Sequence, residues 1–220
     1  MANVPLVDHA IARVHAVTTS VAVNVHHGRD LMESHLAGRV HLSCEDDRPL
    51  GTAGALGALR DWVAGRPTVV VNGDSWTAAG LGGLDALVAG WDGGCIRILV
   101  VGGGELRSNS KVAGALMPWP DVEALSPEPS GLYERVWREA AVAGRLETVA
   151  FDRPFFDCGT PAAYLAANLT ASGGDSVVGP GAVVEGELDE SVVWPGAVVR
   201  RGEHLRHAIR AHERMTVLVR

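Results

Sequence analysis

Eight residues near the C-terminus occur twice. VVGPGAVV (177–184) returns fifteen residues later as VVWPGAVV (192–199), identical at seven of eight positions. A unit this short cannot bury a core alone, so each copy must stack on its neighbour. Valine pairs separated by Pro-Gly corners suit stacked turns of a β-helix. Two coils cannot stand by themselves, so the tail is expected to pack on the rest of the chain or on another subunit. The repeat also sets a boundary, with residues 1–172 as body and 176–220 as tail.

The body has a different rhythm. Residues 5–17 place Leu6, Val7, Ala10, Ile11, Val14 and Val17 on one helical face. VAVNV (21–25) reads as a strand, RDLMESHLA (29–37) as a helix closed by Gly38, and VHLSCE (40–45) as the next strand. Further along come a helix over 55–64, a strand over 68–72, a helix over 81–89, and strands over 96–101 and 111–117. A helix over 132–143, a strand over 146–151 and a helix over 160–169 complete the series. Apolar strands alternating with helices predict a largely parallel, three-layer α/β sheet.

Charge and cysteine usage narrow the function. The formal charge is −7, and residues 199–220 hold six arginines against two glutamates; their +4 leaves −11 on the remainder. Such a body argues against nucleic acid as the main partner. The tail arginines read as a solvated face or a small anion-binding patch. Cys44, Cys95 and Cys158 are far apart and lack a CxxC spacing, which suits a reducing cytoplasm. No secretory leader and no membrane-length apolar run are seen.

Ligands of open α/β sheets bind beyond the carboxyl ends of the strands. PLGTAG follows the strand ending at Glu45, NGD (Asn72–Asp74) follows TVVV, and FFDCGTP (155–161) follows LETVAF. If their strands are parallel neighbours, Asp74 and Asp157 converge on one crevice. Paired carboxylates offer hard oxygen ligands for Mg²⁺, though aspartates at strand ends also cap turns. GGGE (102–105) reads as a flexible connection, and His26 and His27 lack the spacing of a zinc motif.

Taken together, VPLVDHAIARV, VAVNVHHGRDLMESHL, EDDRPLGTAGAL, VVVNGDSW and FFDCGTPAAYLAANL resemble the sugar-nucleotide pyrophosphorylases, most nearly the mannose-1-phosphate guanylyltransferase-like branch. The resemblance implies a Rossmann-like three-layer nucleotidyltransferase domain followed by a short left-handed β-helix of the hexapeptide type. It implies transfer of a nucleotidyl group from a nucleoside triphosphate to mannose 1-phosphate or glucose 1-phosphate, with release of pyrophosphate. Leu50, Gly51, Thr52, Ala53 and Gly54 would read the base, and Asn72 and Gly73 would also bind the nucleotide. Asp74 and Asp157 would be the catalytic carboxylates and the Mg²⁺ ligands. Asn109 and Gly114 would flank the sugar. The tail would serve homo- or hetero-oligomer contacts, with no nucleic acid or membrane as partner.

The departures point elsewhere. In that family a GxGTR-type loop and a lysine-proline pair precede the segment resembling VPLVDHA, and a glutamate–lysine–proline segment is missing between residues 101 and 111. A catalytically inactive nucleotide- or sugar-nucleotide-binding paralogue, a partner subunit, or a fragment without function therefore stand as alternatives to the enzyme. The strand expected before the loop is usually central, so its absence would leave unpaired edges. The 220-residue chain is expected to be less stable than a relative carrying that strand; a cooperative, high-temperature melt of the purified monomer would contradict this.

Overall fold

The computed structural model describes residues 1–78, 83–213 and 215–219. In chain order come α1 (Leu6–Val14), β1 (Ala22–Val25), α2 (Arg29–Leu36), β2 (His41–Cys44), α3 (Gly51–Ala58) and α4 (Arg60–Val63). Then follow β3 (Thr68–Val70), β4 (Ser75–Thr77), α5 (Asp85–Val88), β5 (Ile96–Val101), β6 (Val112–Met117) and α6 (Trp119–Glu123). A π-helical turn (Tyr133–Trp137), α7 (Arg138–Val142), β7 (Leu146–Phe151), β8 (Phe155–Asp157) and α8 (Pro161–Ser172) lead to the tail. The chain divides into two compact units, Arg13–Val71 with Leu81–Asp152, and Met1–Ala12 with Asn72–Gly80 and Arg153–Arg220.

Among the described residues the larger unit holds two sheets. β1 and β2 pair in parallel, Ala22 opposite His41 through Val25 opposite Cys44. The second sheet runs β3-β6-β5-β7. β5 and β7 are parallel, whereas β6 is antiparallel to both β3 and β5. The sheet is therefore more mixed than the alternating pattern predicts. The reason is the short connection between β5 and β6, glycine-rich and without a helix; it lacks the length a parallel crossover requires. A bulge on β6 makes Ala113 the extra residue, because Leu99 faces Gly114 while Val100 faces Val112.

Ile96, Ile98 and Val100 of β5 and Ala115 and Met117 of β6 are buried against Ala53, Leu56, Leu59 and Val63. The helix expected over 55–64 starts four residues earlier and is interrupted at Leu59, giving α3 and α4. The helix expected over 132–143 opens instead with the π-helical turn. The helix expected over 81–89 is α5, shorter than anticipated, and residues 81 and 82 lie outside the described residues.

In the smaller unit β4 pairs with β8 antiparallel, an element the periodicity does not announce. α8 begins where its residues predict: the Thr160 hydroxyl accepts from the Ala163 amide at 3.2 Å, with Pro161 next. Short strands follow: β9 (Val177–Val178), β10 (Val183–Val184), β11 (Glu187–Asp189), β12 (Val192–Val193), β13 (Val198–Val199), β14 (His204–Arg206), β15 (Ala208–Arg210) and β16 (Thr216–Leu218). They stack in parallel as β9-β12-β15, β10-β13 and β11-β14, with β16 antiparallel to β15. Val177 faces Val192 and Val183 faces Val198, so the fifteen-residue sequence repeat is also the spatial repeat. Leu165 of α8 packs on Val177, Val192 and Ile209, which seats the tail on that helix. Of the tail arginines, Arg210 is buried on the Val198 and Glu213 carbonyls and Glu203, and Arg206 pairs with Asp189.

The single difference between the two copies has a steric cause. A Cβ on Gly179 would lie 2.4 Å from the Pro195 nitrogen and 2.7 Å from the Trp194 carbonyl carbon of the next coil. Trp194 occupies the equivalent position in the second copy, partly exposed, with its ring 6.4 Å from that of Tyr164. Gly179→Ala should therefore force the coils apart and lower stability by about 1–3 kcal/mol, measured as a shift in the urea midpoint at constant m-value.

Candidate functional site

The two expected aspartates share the smaller unit. Asp74 lies in the turn Asn72–Ser75, in which the Asn72 carbonyl accepts from the Ser75 hydroxyl at 2.9 Å. β4 then runs beside β8 with Ser75 opposite Asp157 and Trp76 opposite Phe156. One further bond, from the Cys158 amide to the Asp74 carbonyl at 3.0 Å, fixes the two acidic residues across the same end of this ladder. Beneath it Trp76, Met1 and Ala167 form a buried cluster with Phe156 and Leu6 against it. The carboxylates thus meet through an antiparallel pair rather than through parallel neighbours.

Both aspartates are exposed, and both face Gly159. A Cβ placed there would lie 3.5 Å from Asp157 Oδ1 and 4.0 Å from Asp74 Oδ2. The absence of a side chain at 159 keeps the space between the two oxygens open. The Gly159 amide donates to Asp157 Oδ1 at 3.4 Å, which orients that carboxylate. Asn72 and Gly73 are exposed beside Asp74, and an added Cβ on Gly73 would meet nothing within 4 Å. Among the described residues no group of three or more His, Cys, Asp or Glu side chains gathers as a metal cluster.

The turn Leu50–Gly54 belongs to the larger unit, and much of it is already engaged. The Leu50 amide donates to Glu45 Oε2 at 2.9 Å, and the Leu50 carbonyl accepts from the Ser130 amide at 2.9 Å. The Ala53 amide donates to the Ser130 carbonyl at 3.0 Å, and Thr52 Oγ1 accepts from the Leu132 amide at 3.2 Å. Gly51, Gly54 and Gly57 lie along one face of α3, pressed by the backbone of Ser126–Ser130. Added Cβ atoms would come within 2.6 Å of the Ser130 oxygen, 2.4 Å of the Glu128 oxygen and 2.4 Å of Ser126. Ala53 and Gly54 are buried, whereas Gly51 and Thr52 are exposed. Only the first part of the motif can therefore touch a ligand directly.

Asn109 and Gly114 are not brought together. Asn109 sits exposed in the turn before β6, while Gly114 is buried in β6. A Cβ on Gly114 would lie 2.8 Å from Leu84 Cδ2, so its face is filled by apolar side chains.

Sequence reasoning passed over Glu45, Cys158 and Gly159. Glu45 is buried and accepts from Asn24 Nδ2 at 3.0 Å as well as from Leu50, so it clamps the turn to β1. Its place directly after a strand and before the glycine turn was the available signal. Cys158 is half-buried, and its thiol is pushed up to about 11, first by burial and then by the negative charge of Asp74. Asp157 adds to this, and the N-terminal ammonium opposes it. The raised value favours the neutral folded thiol. Its contribution to stability is full below the unfolded thiol's range and is lost as pH rises towards 11. Asp74→Asn removes one raising charge, so alkylation of Cys158 by iodoacetamide near pH ~9.5 should accelerate. An unchanged rate would show that Asp74 exerts no field on this thiol.

No family model matches the chain. A curated relative, the N-acetylmuramate alpha-1-phosphate uridylyltransferase of Caulobacter vibrioides, is 27% identical over 203 residues, covering 76% of this chain and 84% of the relative. Among solved structures, one described as a mannose-1-phosphate geranyltransferase from Thermus thermophilus aligns with a TM-score of 0.68. It is 13% identical, with 96% of this chain and 84% of that one covered. Another, described as a glucose-1-phosphate thymidylyltransferase from Bacillus anthracis in complex with a sucrose, gives a TM-score of 0.60 at 16% identity. It covers 76% of this chain and 82% of its own. The chain is thus similar in sequence to a sugar-phosphate uridylyltransferase at 27% identity and shares the fold of the other two proteins.

Proposed function

We propose that the protein transfers a nucleotidyl group from a nucleoside triphosphate to a sugar 1-phosphate, mannose 1-phosphate or glucose 1-phosphate, releasing pyrophosphate. The observation that carries this reading is the convergence of Asp74 and Asp157 on the open space at Gly159. Two exposed carboxylates offer the hard oxygen ligands that suit Mg²⁺, which keeps further positions for substrate phosphates and water. When bound there, Mg²⁺ would supply charge neutralisation for the triphosphate.

The protein's own residues orient and bind. Gly159 holds Asp157 through its amide, and the Cys158–Asp74 backbone bond holds the second carboxylate beside it. Gly51 and Thr52 offer exposed backbone to a base, while Glu45 and Ser130 fix the geometry of that turn. In the reaction an oxygen of the sugar phosphate forms a bond to the α-phosphorus. The bond from that phosphorus to the bridging oxygen breaks, and pyrophosphate leaves with the electron pair. Such a step needs alignment and charge balance more than a covalent protein intermediate. The stacked strands of the tail are read as a β-helix that carries oligomer contacts.

Melting temperatures with GTP, UTP, dTTP, CTP and ATP, with and without Mg²⁺, test this reading. At least one nucleotide should stabilise the protein, by about 2.7 kcal/mol at roughly 100 times its Kd. Asp157→Asn should remove the Mg²⁺-dependent part. No response to any nucleotide would overturn the reading. Pyrophosphate release with mannose or glucose 1-phosphate should follow in the same mixtures, whereas binding without release would mark an inactive, regulatory paralogue.

A further inference from the structure

The segment that presses on α3 also walls a cavity for which the reaction has no use. Its volume is about 250 Å³, and Ala124, Leu125, Ser126, Ser130, Arg135 and Val136 line it. Leu125 is buried and Val136 half-buried, whereas Ser126 and Arg135 are exposed, so an apolar floor meets a polar rim. The Ser130 hydroxyl is committed to the Glu128 carbonyl at 2.8 Å. The Ser126 hydroxyl and the Arg135 guanidinium have no partner among the described residues. Neighbouring carboxylates are turned to other uses. Glu128 pairs with Arg48 and Asp121 with Arg145, each at 3.1 Å, and Glu134 folds back over Gly131.

The helix form is a second, independent observation. Arg135 and Val136 both belong to the π-helical turn Tyr133–Trp137, a wider winding that recurs at functional sites. The same turn buries Trp137 Nε1 without a partner among the described residues, a cost that packing alone does not recover. A guanidinium and a hydroxyl at one rim, with no carboxylate lining it, recognise an anion, and a phosphate group has oxygens for both. Leu125 and Val136 leave an apolar surface for a small carbon body beside it.

The cavity wall is at the same time the mould of the turn Leu50–Gly54. The Ser130 amide donates to the Leu50 carbonyl, and the Ser130 carbonyl accepts from the Ala53 amide. The Leu132 amide donates to Thr52 Oγ1. A ligand that bridges Ser126 and Arg135 would tie this segment to the π-helical turn and hold Thr52 and Ala53 in place.

We propose that the cavity binds a small phosphate-bearing molecule and that its occupancy stiffens the turn Leu50–Gly54. Binding and stiffening stand on the cavity and its hydrogen bonds; only their consequence for nucleotide affinity rests on reading that turn as the base reader.

The probes are inorganic phosphate, pyrophosphate and glucose 6-phosphate, with glucose as the neutral control. They are titrated in EDTA, so that no cation sits between Asp74 and Asp157, and amide exchange of the 220-residue chain is read residue by residue. At least one phosphate probe should bind saturably, and glucose should not. At roughly ten times its Kd, the amides of Ala53, Ser130 and Leu132 should exchange about tenfold more slowly. Tightest binding of phosphate or pyrophosphate would identify the ligand as a free phosphate anion, and tightest binding of glucose 6-phosphate as a phosphorylated sugar. Arg135→Gln should weaken binding about tenfold or more. Ser126→Leu, which fills the cavity and keeps the guanidinium, should abolish it. The proposal is overturned if no phosphate probe binds saturably, if either variant leaves binding intact, or if binding does not slow exchange at Ala53. A protein that binds no nucleotide would still return one of these answers, so failure of the catalytic reading is told apart from failure of this one.

Discussion

The close contact between α3 and the backbone of Ser126–Ser130 governs the larger unit. It exists because Gly51, Gly54 and Gly57 leave one helix face without side chains. A methyl at any of them would meet backbone, which cannot swing aside as a side-chain tip can. The approach then permits the Ser130–Leu50, Ala53–Ser130 and Leu132–Thr52 hydrogen bonds. Those bonds in turn bring Leu125 and Leu132 into one cluster with Ala53 and Leu56. Helix start, turn geometry and core thus follow from one stripe of absent side chains. The same contact decides which part of the turn faces solvent.

The carboxylate pair obeys a different logic. A ladder of three residue pairs is weak alone, and here the apolar cluster around Trp76, Phe156 and Met1 supports it. Two negative charges a few ångströms apart repel by only about 1 kcal/mol when water screens them. Exposure therefore lets Asp74 and Asp157 face one another at small cost, whereas burial of the pair would have forced one to take up a proton. Both carboxylates stay open to solvent on the side of Gly159.

Much of this was readable from residue order. The strands VAVNV, VHLSCE, IRILVV and LETVAF, the Thr160 cap and the fifteen-residue stack all follow from local chemistry, with β1 and β2 a little shorter than read. Asp74 and Asp157 were legible as candidates because each lies in a glycine-containing motif after an apolar run. Their route to one another was not: β4 and β8 are three residues long, too short for alternation to show. Nor did the turn reveal that Ala53 and Gly54 are buried, since the covering segment lies more than seventy residues away in sequence. The antiparallel course of β6 was hidden for a similar reason, because direction depends on the length of a connection rather than on the strand itself.

The β1–β2 ladder shows how side chains substitute for missing strand partners. Four paired residues on each strand would hold poorly at an open edge. Glu45, directly after β2, accepts from Asn24 of β1 and from the Leu50 amide, and its own carbonyl meets His26 Nδ1 at 2.9 Å. A buried carboxylate with both oxygens engaged is hard to disengage, since either lost donor leaves charge without compensation. The ladder is consequently tied to the start of α3 and, through Ser130, to the segment that covers it. An edge strand, a clamp and a turn form one mechanical unit, and the turn holds its shape only while the edge does.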